Sequence, residues 1–308
     1  MYIVSEGRVI MNFEPSFFKE EMRSSFLVDE KRKKIWAVEL QILEKFDEIC
    51  RKHNLTYYAY YGTLLGAVRH QGFVPWDDDL DVAMFRDDYE KFQEIAQEEF
   101  TEPYFFQNAY TDGIIRFMAK IRDSRTTAIE HMAPSINQGI FIDVFPLDVA
   151  PDGINEEAST ILEVQKEIWT TVVNPREILM DLEAGKRFVL DIDVLVELIK
   201  LEKRQRFKEF EAFSLSHFGE TRNVDFVVRQ LFYDQPESPK MDWFKNVVYL
   251  PFENIHIPAP AEYDKILTVL YGDYHEFVRG GSTHEEVIMD PDIPYGEYFS
   301  KYILKKSE

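Results

Sequence analysis

The stretch from Tyr61 to Met84, YGTLLGAVRHQGFVPWDDDLDVAM, decides the fold of this chain of 308 residues. A short β-prone run, residues 57–61, ends at Gly62-Thr63, and the apolar spacing over residues 64–68 predicts a short helix directly after it. A turn signal follows, and over residues 77–84 apolar side chains then alternate with aspartates. That alternation predicts a strand that carries carboxylates on one side.

The carboxylates of this strand are candidate ligands for a cation. Asp77, Asp79 and Asp81 lie two residues apart, so they share one face of a strand at roughly 6.5–7 Å spacing. Asp143 lies in a second apolar run, GIFIDVF at residues 139–145, and on a neighbouring strand it would complete the cluster. Like charges this close require either a bound cation or a raised pKa.

The residue types favour Mg²⁺ or Mn²⁺ over Zn²⁺, because the candidate ligands are hard carboxylate oxygens. The chain has one cysteine, Cys50, and no close group of histidines. A cation held by two carboxylates keeps positions open for phosphate oxygens, as phosphoryl and nucleotidyl transfer require. The alternative is a solvated acidic turn, which is how Asp77-Asp78 alone would be interpreted.

Basic and glycine-rich positions predict contacts to a phosphorylated ligand. The strand–glycine–helix junction at Gly62-Thr63 would offer backbone N–H groups and a positive helix end to an anion. Arg69, later on the same short helix, would reach the same anion. Lys120 and Arg122 alternate on a predicted strand, where phosphate contacts are one interpretation and surface salt bridges are the other.

The remaining pattern predicts a mixed α/β half, a helical half and an irregular return. Helices are expected over residues 29–53, 87–100 and 262–271, and strands over residues 104–107, 114–122, 126–130 and 139–145, the last ended by Pro146. The predicted regions are an arm at 1–28, a catalytic core at 29–151, a helical region at 152–235, and a loop-rich region at 236–308 that packs back on the core.

Composition excludes several classes of protein. The formal charge of −21 opposes binding to nucleic acid. The sequence shows neither a basic stretch followed by an apolar one, as in a secretion signal, nor an apolar run long enough to span a membrane. A cytoplasmic location is therefore expected.

Two longer motifs carry a resemblance to a known family. Residues 61–70, YGTLLGAVRH, and residues 72–81, GFVPWDDDLD, resemble the LicD family, whose relatives include the fukutin-related sugar-modifying transferases. Similar family segments are KIRD at 120–123, GIFIDVFPLD at 139–148, PFEN at 251–254 and LYGDY at 270–274. The chain also resembles the signature of the nucleotidyltransferase superfamily, through Gly62-Thr63, the spaced pair Asp79 and Asp81, and Ile142-Asp143-Val144.

The resemblance implies a nucleotidyltransferase-like α+β fold and a specific reaction. It implies Mg²⁺ and the transfer of phosphocholine from CDP-choline to a cell-surface glycan precursor, such as that of lipopolysaccharide or teichoic acid. Asp79 and Asp81 would then be metal ligands, Asp143 either the third ligand or the general base, and Asp77 an outer ligand.

Two other functions stay open from the sequence. One is a true nucleotidyltransferase that places the nucleotide monophosphate on a sugar or a small molecule. The other is a domain that binds a nucleotide or a glycan without catalysis. The choice among choline, ethanolamine, glycerol and ribitol phosphates is also open, as are the acceptor sugar and the oligomeric state.

Overall fold

A computed structural model describes residues 2–5, 8–11, 13–151, 155–216, 223–226, 237–279 and 287–304. The strands are β1 (Tyr2–Ser5), β2 (Arg8–Met11), β3 (Glu21–Arg23), β4 (Phe26–Val28), β5 (Tyr58–Ala59), β6 (Asp81–Phe85), β7 (Tyr104–Gln107), β8 (Ala119–Asp123), β9 (Thr127–Ile129), β10 (Ile140–Ala150), β11 (Asn223–Asp225), β12 (Val247–Phe252), β13 (Ile255–Pro260) and β14 (Ile288–Asp290). The helices are α1 (Glu30–Lys52), α2 (Tyr61–His70), α3 (Arg86–Glu99), α4 (Glu156–Val173), α5 (Pro175–Glu183), α6 (Ile192–Lys200), α7 (Lys203–Ser216), α8 (Tyr263–Tyr271) and α9 (Tyr295–Tyr298), with a 3₁₀ turn at Met241–Phe244 and a π turn at Phe299–Ile303.

A mixed sheet with helices around it forms the centre of the molecule. Within the described ranges its strand order is β5-β6-β10-β8-β7, and β11 pairs with the far end of β10. Strands β6 and β10 run parallel, whereas the other pairs in this sheet are antiparallel. The predicted α+β class is therefore confirmed.

The helix predicted over residues 29–53 is confirmed as α1. Asp29 caps it, because its side chain accepts a hydrogen bond from the backbone N–H of Arg32 at 2.8 Å. The apolar side chains of the helix are buried in the core, among them Ile42 and Phe46. Glu39, which interrupts this apolar face in the sequence, is buried as well.

The expectation that Pro146 ends its strand is wrong, because β10 continues to Ala150. The backbone N–H of Asp143 points toward β6 and donates to the carbonyl of Leu80 at 2.9 Å. Alternation along a strand points the ring nitrogen of Pro146 to the opposite edge. There, pairing with β8 ends at Val144 and pairing with β11 begins at Asp148, so no ladder hydrogen bond is lost.

The ends of the chain contain more regular structure than the sequence predicts. Described residues of the expected irregular arm form the hairpins β1–β2 and β3–β4, and the expected loop-rich stretch contains the hairpin β12–β13. Glu253, at the tip of the β12–β13 hairpin, explains part of this difference between the predicted and the observed structure. It binds the guanidinium of Arg23 with both oxygens and accepts the backbone N–H of Phe73 at 3.2 Å, so it joins three distant segments.

The helical region shares one continuous core with the sheet. Side chains such as Ile168 on α4 and Phe207 on α7 belong to the same buried cluster as Val82 and Val144 of the sheet. Residues 217–222 and 227–236, at the end of the predicted helical region, lie outside the described residues. The predicted domain boundaries stay predictions.

Among the described helices, none has the length and apolar character needed to cross a bilayer.

Candidate metal centre

The two central strands bring the predicted carboxylates to one level of the sheet. Because β6 and β10 are parallel neighbours in register, Asp143 lies directly opposite Asp81. Adjacent strands are about 4.8 Å apart, so side chains on the same face at this register meet. Both aspartates are buried, with 7% of Asp81 and 3% of Asp143 exposed.

Asp79 joins this pair from outside the strand. The strand predicted from residue 77 begins only at Asp81, and residues 77–80 are irregular. Carboxylate oxygens of Asp79, Asp81 and Asp143 nevertheless all lie within 4.8 Å of one another. The structure therefore brings together the three acids that the sequence singled out.

Asp77 belongs to a second group that shares Asp79. Carboxylate oxygens of Asp77, Asp78 and Asp79 also lie within 4.8 Å of one another. Burial, and then the charges of the neighbouring Asp79 and Asp78, raise the pKa of Asp77 to about 8. Burial and the neighbouring carboxylates therefore both disfavour the ionised form of Asp77.

Gly62 and Thr63 have structural roles beside this group. A Cβ on Gly62 would lie 2.4 Å from Oδ2 of Asp77, so the missing side chain makes room for that carboxylate. Thr63 Oγ1 accepts the backbone N–H of Asp81 at 2.7 Å, which ties the start of α2 to the start of β6. The residue before them, Tyr61, has a φ of 40°, a left-handed conformation that is costly for a tyrosine.

Lys120 and Arg122 are not surface residues. Lys120 Nζ lies 3.3 Å from Oδ1 of Asp143 and 3.0 Å from Oε1 of Glu130. Arg122 is fully buried and donates to Gln107, to the Gly139 carbonyl and to Glu130. These contacts place Lys120 beside the acids, whereas the guanidinium of Arg122 is enclosed by protein acceptors and contacts no open surface.

Arg69 lies near the C-terminal end of α2, and its guanidinium carbon is 4.0 Å from the ring centroid of Phe277. Its Nε and Nη2 atoms are buried and have no hydrogen-bond partner within the described part of the chain, and burial lowers its pKa. A cation with unmatched N–H donors suits an anionic ligand. Residues 63 and 69 are about 9 Å apart along the helix axis, so Arg69 would contact a part of the ligand remote from Thr63.

Sequence reasoning missed two acids at this site. Glu130 bridges Lys120 and Arg122, but its position at the end of a short strand gave no signal. Glu39 did give a signal, because it breaks the apolar face of α1. Burial, and then the charges of Asp79, Asp78 and Asp77, raise the pKa of Glu39 well above its ordinary value.

The donor set fits a hard divalent cation. Every candidate ligand is a carboxylate oxygen, and the three oxygens of Asp79, Asp81 and Asp143 lie within 4.8 Å of one another. Mg²⁺ and Mn²⁺ prefer such oxygen ligands. Asp79, Asp81 and Asp143 are the residues that would hold the ion.

Comparisons with known proteins identify the family of this chain. Residues 54–178 match the family model described as LicD/FKTN/FKRP, nucleotidyltransferase domain, and this range contains all three acids. The lipopolysaccharide cholinephosphotransferase LicD of Haemophilus influenzae is 30% identical over 248 residues, which cover 76% of this chain and 88% of that protein.

Two shorter matches are uncharacterized proteins of Rickettsia. The Rickettsia typhi protein is 47% identical over 70 residues, which cover 23% of this chain and 21% of that protein. The Rickettsia prowazekii protein is 42% identical over 71 residues, which cover 23% of this chain and 24% of that protein. The match to the Haemophilus protein is long, and the family model covers the three acids of this chain. This chain therefore belongs to the LicD family.

Proposed function

We propose that this protein transfers phosphocholine, or a similar phosphoalcohol, from a CDP-linked donor to a hydroxyl of a cell-surface glycan or its precursor. The observation that carries the proposal is that carboxylate oxygens of Asp79, Asp81 and Asp143 lie within 4.8 Å of one another, with Asp81 and Asp143 on the parallel strands β6 and β10 and Asp79 just before β6. The long similarity to a lipopolysaccharide cholinephosphotransferase supports the class of reaction. A cytoplasmic location remains part of the proposal.

Asp79, Asp81 and Asp143 would hold Mg²⁺ or Mn²⁺ through their oxygens. When bound, the ion supplies positive charge that offsets the charge of the donor diphosphate. The chain's own residues keep these acids in place. Pairing between β6 and β10 fixes the register of Asp81 and Asp143, and the Thr63 hydroxyl holds the start of β6.

In the proposed reaction, the acceptor oxygen forms a bond to the phosphorus of the phosphoalcohol. The bond from that phosphorus to the bridging oxygen breaks, and CMP leaves with the electron pair. The acceptor proton passes to a carboxylate, for which Asp143 is the candidate if it is not a third ligand. Lys120, whose Nζ lies 3.3 Å from Oδ1 of Asp143, orients that carboxylate.

Arg69 is the candidate for binding a donor phosphate, since its buried Nε and Nη2 have no acceptor among the residues that the structure describes. Gly62 and Thr63 contribute by shaping the site, and direct phosphate contacts from their backbone remain part of the proposal. Lys120 acts through Asp143. A phosphate contact from Arg122 would require its three protein acceptors to be replaced.

The leaving group tests this proposal. The purified protein is incubated with CDP-choline, Mg²⁺ and lipopolysaccharide or a teichoic acid precursor, and the small products are separated. Release of CMP together with a gain of phosphocholine by the acceptor supports the proposal. Release of phosphocholine with a gain of CMP would show a nucleotidyltransferase instead, and Mg²⁺-independent turnover would contradict the metal centre.

A thermal-shift screen identifies the donor. CDP-choline, CDP-ethanolamine, CDP-glycerol and CDP-ribitol are compared at equal concentration with Mg²⁺ present. A ligand at 100 times its Kd adds about 2.7 kcal/mol to the stability of the native state. We expect CDP-choline to give the largest rise in Tm, and equal shifts for all four would remove the preference for choline.

A further inference from the structure

The β3–β4 hairpin presents an apolar pair that the proposed reaction does not use. Met22 and Leu27 lie directly opposite each other in its register, so both side chains leave the same face of the hairpin. Each is more than half exposed. The other face packs on the protein, where Val28 is buried and the guanidinium of Arg23 binds Glu253. Apolar side chains therefore project into solvent from a pair of strands whose opposite face is anchored.

A tight turn fixes this orientation. Ser24 and Ser25 are the two residues between the strands, and their φ angles are 48° and 62°. Two consecutive positive φ angles are typical of a two-residue type I′ hairpin turn, which sets the register of the strands. A shift by one residue would exchange the exposed and the packed face. Because serine in this conformation costs more than glycine, the chain holds the apolar pair outward against some backbone strain.

A second exposed apolar pair lies beside this hairpin. Phe277 and Val278 are each more than half exposed. The next residue, Arg279, has its guanidinium carbon 5.0 Å from the ring centroid of Phe26 on β4, so the two segments are neighbours. We call the four exposed side chains of these segments the apolar face: Met22, Leu27, Phe277 and Val278.

The apolar face borders the candidate metal centre. Trp76 comes directly before the run of acids, and its ring centroid lies 6.3 Å from that of Phe26 and 6.3 Å from that of His70. The ring centroid of His70 is 5.4 Å from that of Phe277. Rings of the hairpin, of the segment before the acids and of the second exposed segment therefore form one continuous row. A surface that covers the apolar face would lie next to the metal centre.

Positive charge accompanies the apolar face although the chain is strongly acidic. A formal charge of −21 repels an anionic surface, so such a surface can approach only where cations are concentrated. Two nearby acids, Glu21 and Glu253, are already engaged by cations of the protein, whereas the exposed Glu20 and Glu276 offset part of the positive charge. Within the described ranges, three guanidinium groups lie over rings at this face and have no ion-pair partner: Arg32, Arg69 and Arg279.

We propose that the apolar face and the arginines beside it dock this protein on the surface of an anionic bilayer. Peripheral binding of this kind combines apolar side chains that enter the interface with cations that face lipid phosphates. Because the face borders the metal centre, a glycan acceptor with a lipid anchor would be presented to the reacting phosphate. This role for the acceptor rests on the proposed function, whereas the docking itself does not.

Binding to vesicles tests the docking without any substrate. The full-length protein is sedimented with vesicles of equal parts phosphatidylglycerol and phosphatidylcholine. Met22→Thr combined with Leu27→Thr removes two exposed apolar side chains, and we expect at least a roughly tenfold loss of vesicle affinity. Arg279→Gln should lower the affinity about fivefold on these vesicles and far less on pure phosphatidylcholine. Leu179→Gln combined with Met180→Gln, at an exposed apolar pair on α5, is the matched control and should bind like the unchanged protein.

Two further measurements separate docking from other causes. The hairpin variant, Met22→Thr with Leu27→Thr, should keep the Tm of the unchanged protein, because both side chains are exposed. Light scattering without vesicles gives the oligomeric state. A dimer of the unchanged protein that the hairpin variant breaks apart would show that a second copy covers the apolar face, and the docking proposal would be wrong.

The form of the acceptor separates this inference from the proposed function. With CDP-choline and Mg²⁺, the hairpin variant should release CMP roughly tenfold more slowly on lipopolysaccharide held in the vesicles. It should match the unchanged protein on the same glycan freed of its lipid. Equal vesicle binding by the hairpin variant and the unchanged protein, or no binding by either, would overturn the docking and leave the proposed reaction intact. Vesicle binding without CMP release on either acceptor would overturn the proposed reaction and leave the docking intact.

Discussion

Two charged regions lie side by side around the central sheet and differ in how their charge is balanced. The acidic cluster consists of Asp77, Asp79, Asp81 and Asp143. The ion-pair network consists of Lys120, Arg122 and Glu130. They touch where Asp143 of β10 lies opposite Lys120 of β8.

The pKa values of the two regions move in opposite directions although the acids compared, Asp77 and Glu130, are both half-buried. Burial raises the pKa of Glu130, but the charges of Lys120 and Arg122 outweigh it and lower that pKa to about 2. In the acidic cluster, burial and neighbouring carboxylates act together and raise the pKa of Asp77 to about 8. The charges of the network are balanced within the protein, whereas we propose that a cation from solution balances those of the acidic cluster.

The largest expected effect is the loss of turnover when the acidic cluster loses a ligand. Asp81→Asn keeps the size of the side chain and the backbone hydrogen bond to Thr63, but it removes one charge. We expect transfer to fall roughly 10³-fold, which corresponds to about 4 kcal/mol of lost transition-state stabilisation. CMP release measures it, and Glu98→Gln, exposed on α3, is the control. Near-normal turnover in Asp81→Asn would show that the cluster is not the catalytic centre.

The next effect is the loss of stability when the ion-pair network is broken. Arg122→Gln leaves Glu130 with one fewer cation in the interior, at a cost of about 3–5 kcal/mol for a buried pair. Urea unfolding measures it, and Mg²⁺ should not restore the loss. Arg51→Gln, at an exposed ion pair with Asp47, should change stability by less than about 1 kcal/mol. Equal losses in the two variants would mean that the network does not stabilise the fold.

A third effect is the pH dependence of the chelated protein. The pKa of Asp77 is about 8 in the folded state against 3.8 for an ordinary aspartate. The free energy of unfolding that the protonated Asp77 carboxyl contributes is therefore fully present below the pKa of the unfolded state, 3.8, and is lost as the pH rises through the pKa of the folded state, about 8. We expect Tm to fall by roughly a few degrees between pH 6.5 and pH 8.5 in a chelator, a range above the interval in which the lowered pKa of His70 acts in the opposite direction. Glu130 does not contribute in this range, because its lowered pKa affects stability only at more acidic pH.

Saturating Mg²⁺ should flatten that pH profile, since the cation stabilises the ionised acids. Tm is measured by differential scanning fluorimetry with and without the ion. A chelated protein whose Tm is constant or rises across this range would contradict the excess of negative charge in the acidic cluster.

The smallest expected effect is a gain in stability. Asp77→Asn removes one of the crowded acids, so the chelated protein should gain about 1 kcal/mol. The same variant should show a smaller rise in Tm when Mg²⁺ is added. Urea unfolding of the chelated variant checks the gain, and a loss of more than about 1 kcal/mol would show that the Asp77 carboxylate stabilises the fold by itself.

The sequence predicted the centre of the fold well because the pattern there is local. Alternation around Asp81 and the apolar run around Asp143 each indicate a strand with an acid on one face. The apolar periodicity and the Asp29 cap predicted α1 within one residue of its observed bounds.

Features that depend on distant partners could not be predicted. Glu39 appeared only as a break in the apolar face, because nothing local shows which segment that face meets. Pro146 appeared to end β10, since the gap between β8 and β11 on that edge is a tertiary feature. The alternation of Lys120 and Arg122 indicated a strand but could not show that Glu130 and Asp143 would be their partners.

Crystals grown with Mn²⁺ test the central claim most directly, through the anomalous scattering of the ion. We predict a strong anomalous peak between the carboxylates of Asp79, Asp81 and Asp143, at bonding distance from oxygens of at least two of them. A map with no peak there, at a Mn²⁺ concentration that supports turnover, would contradict the account.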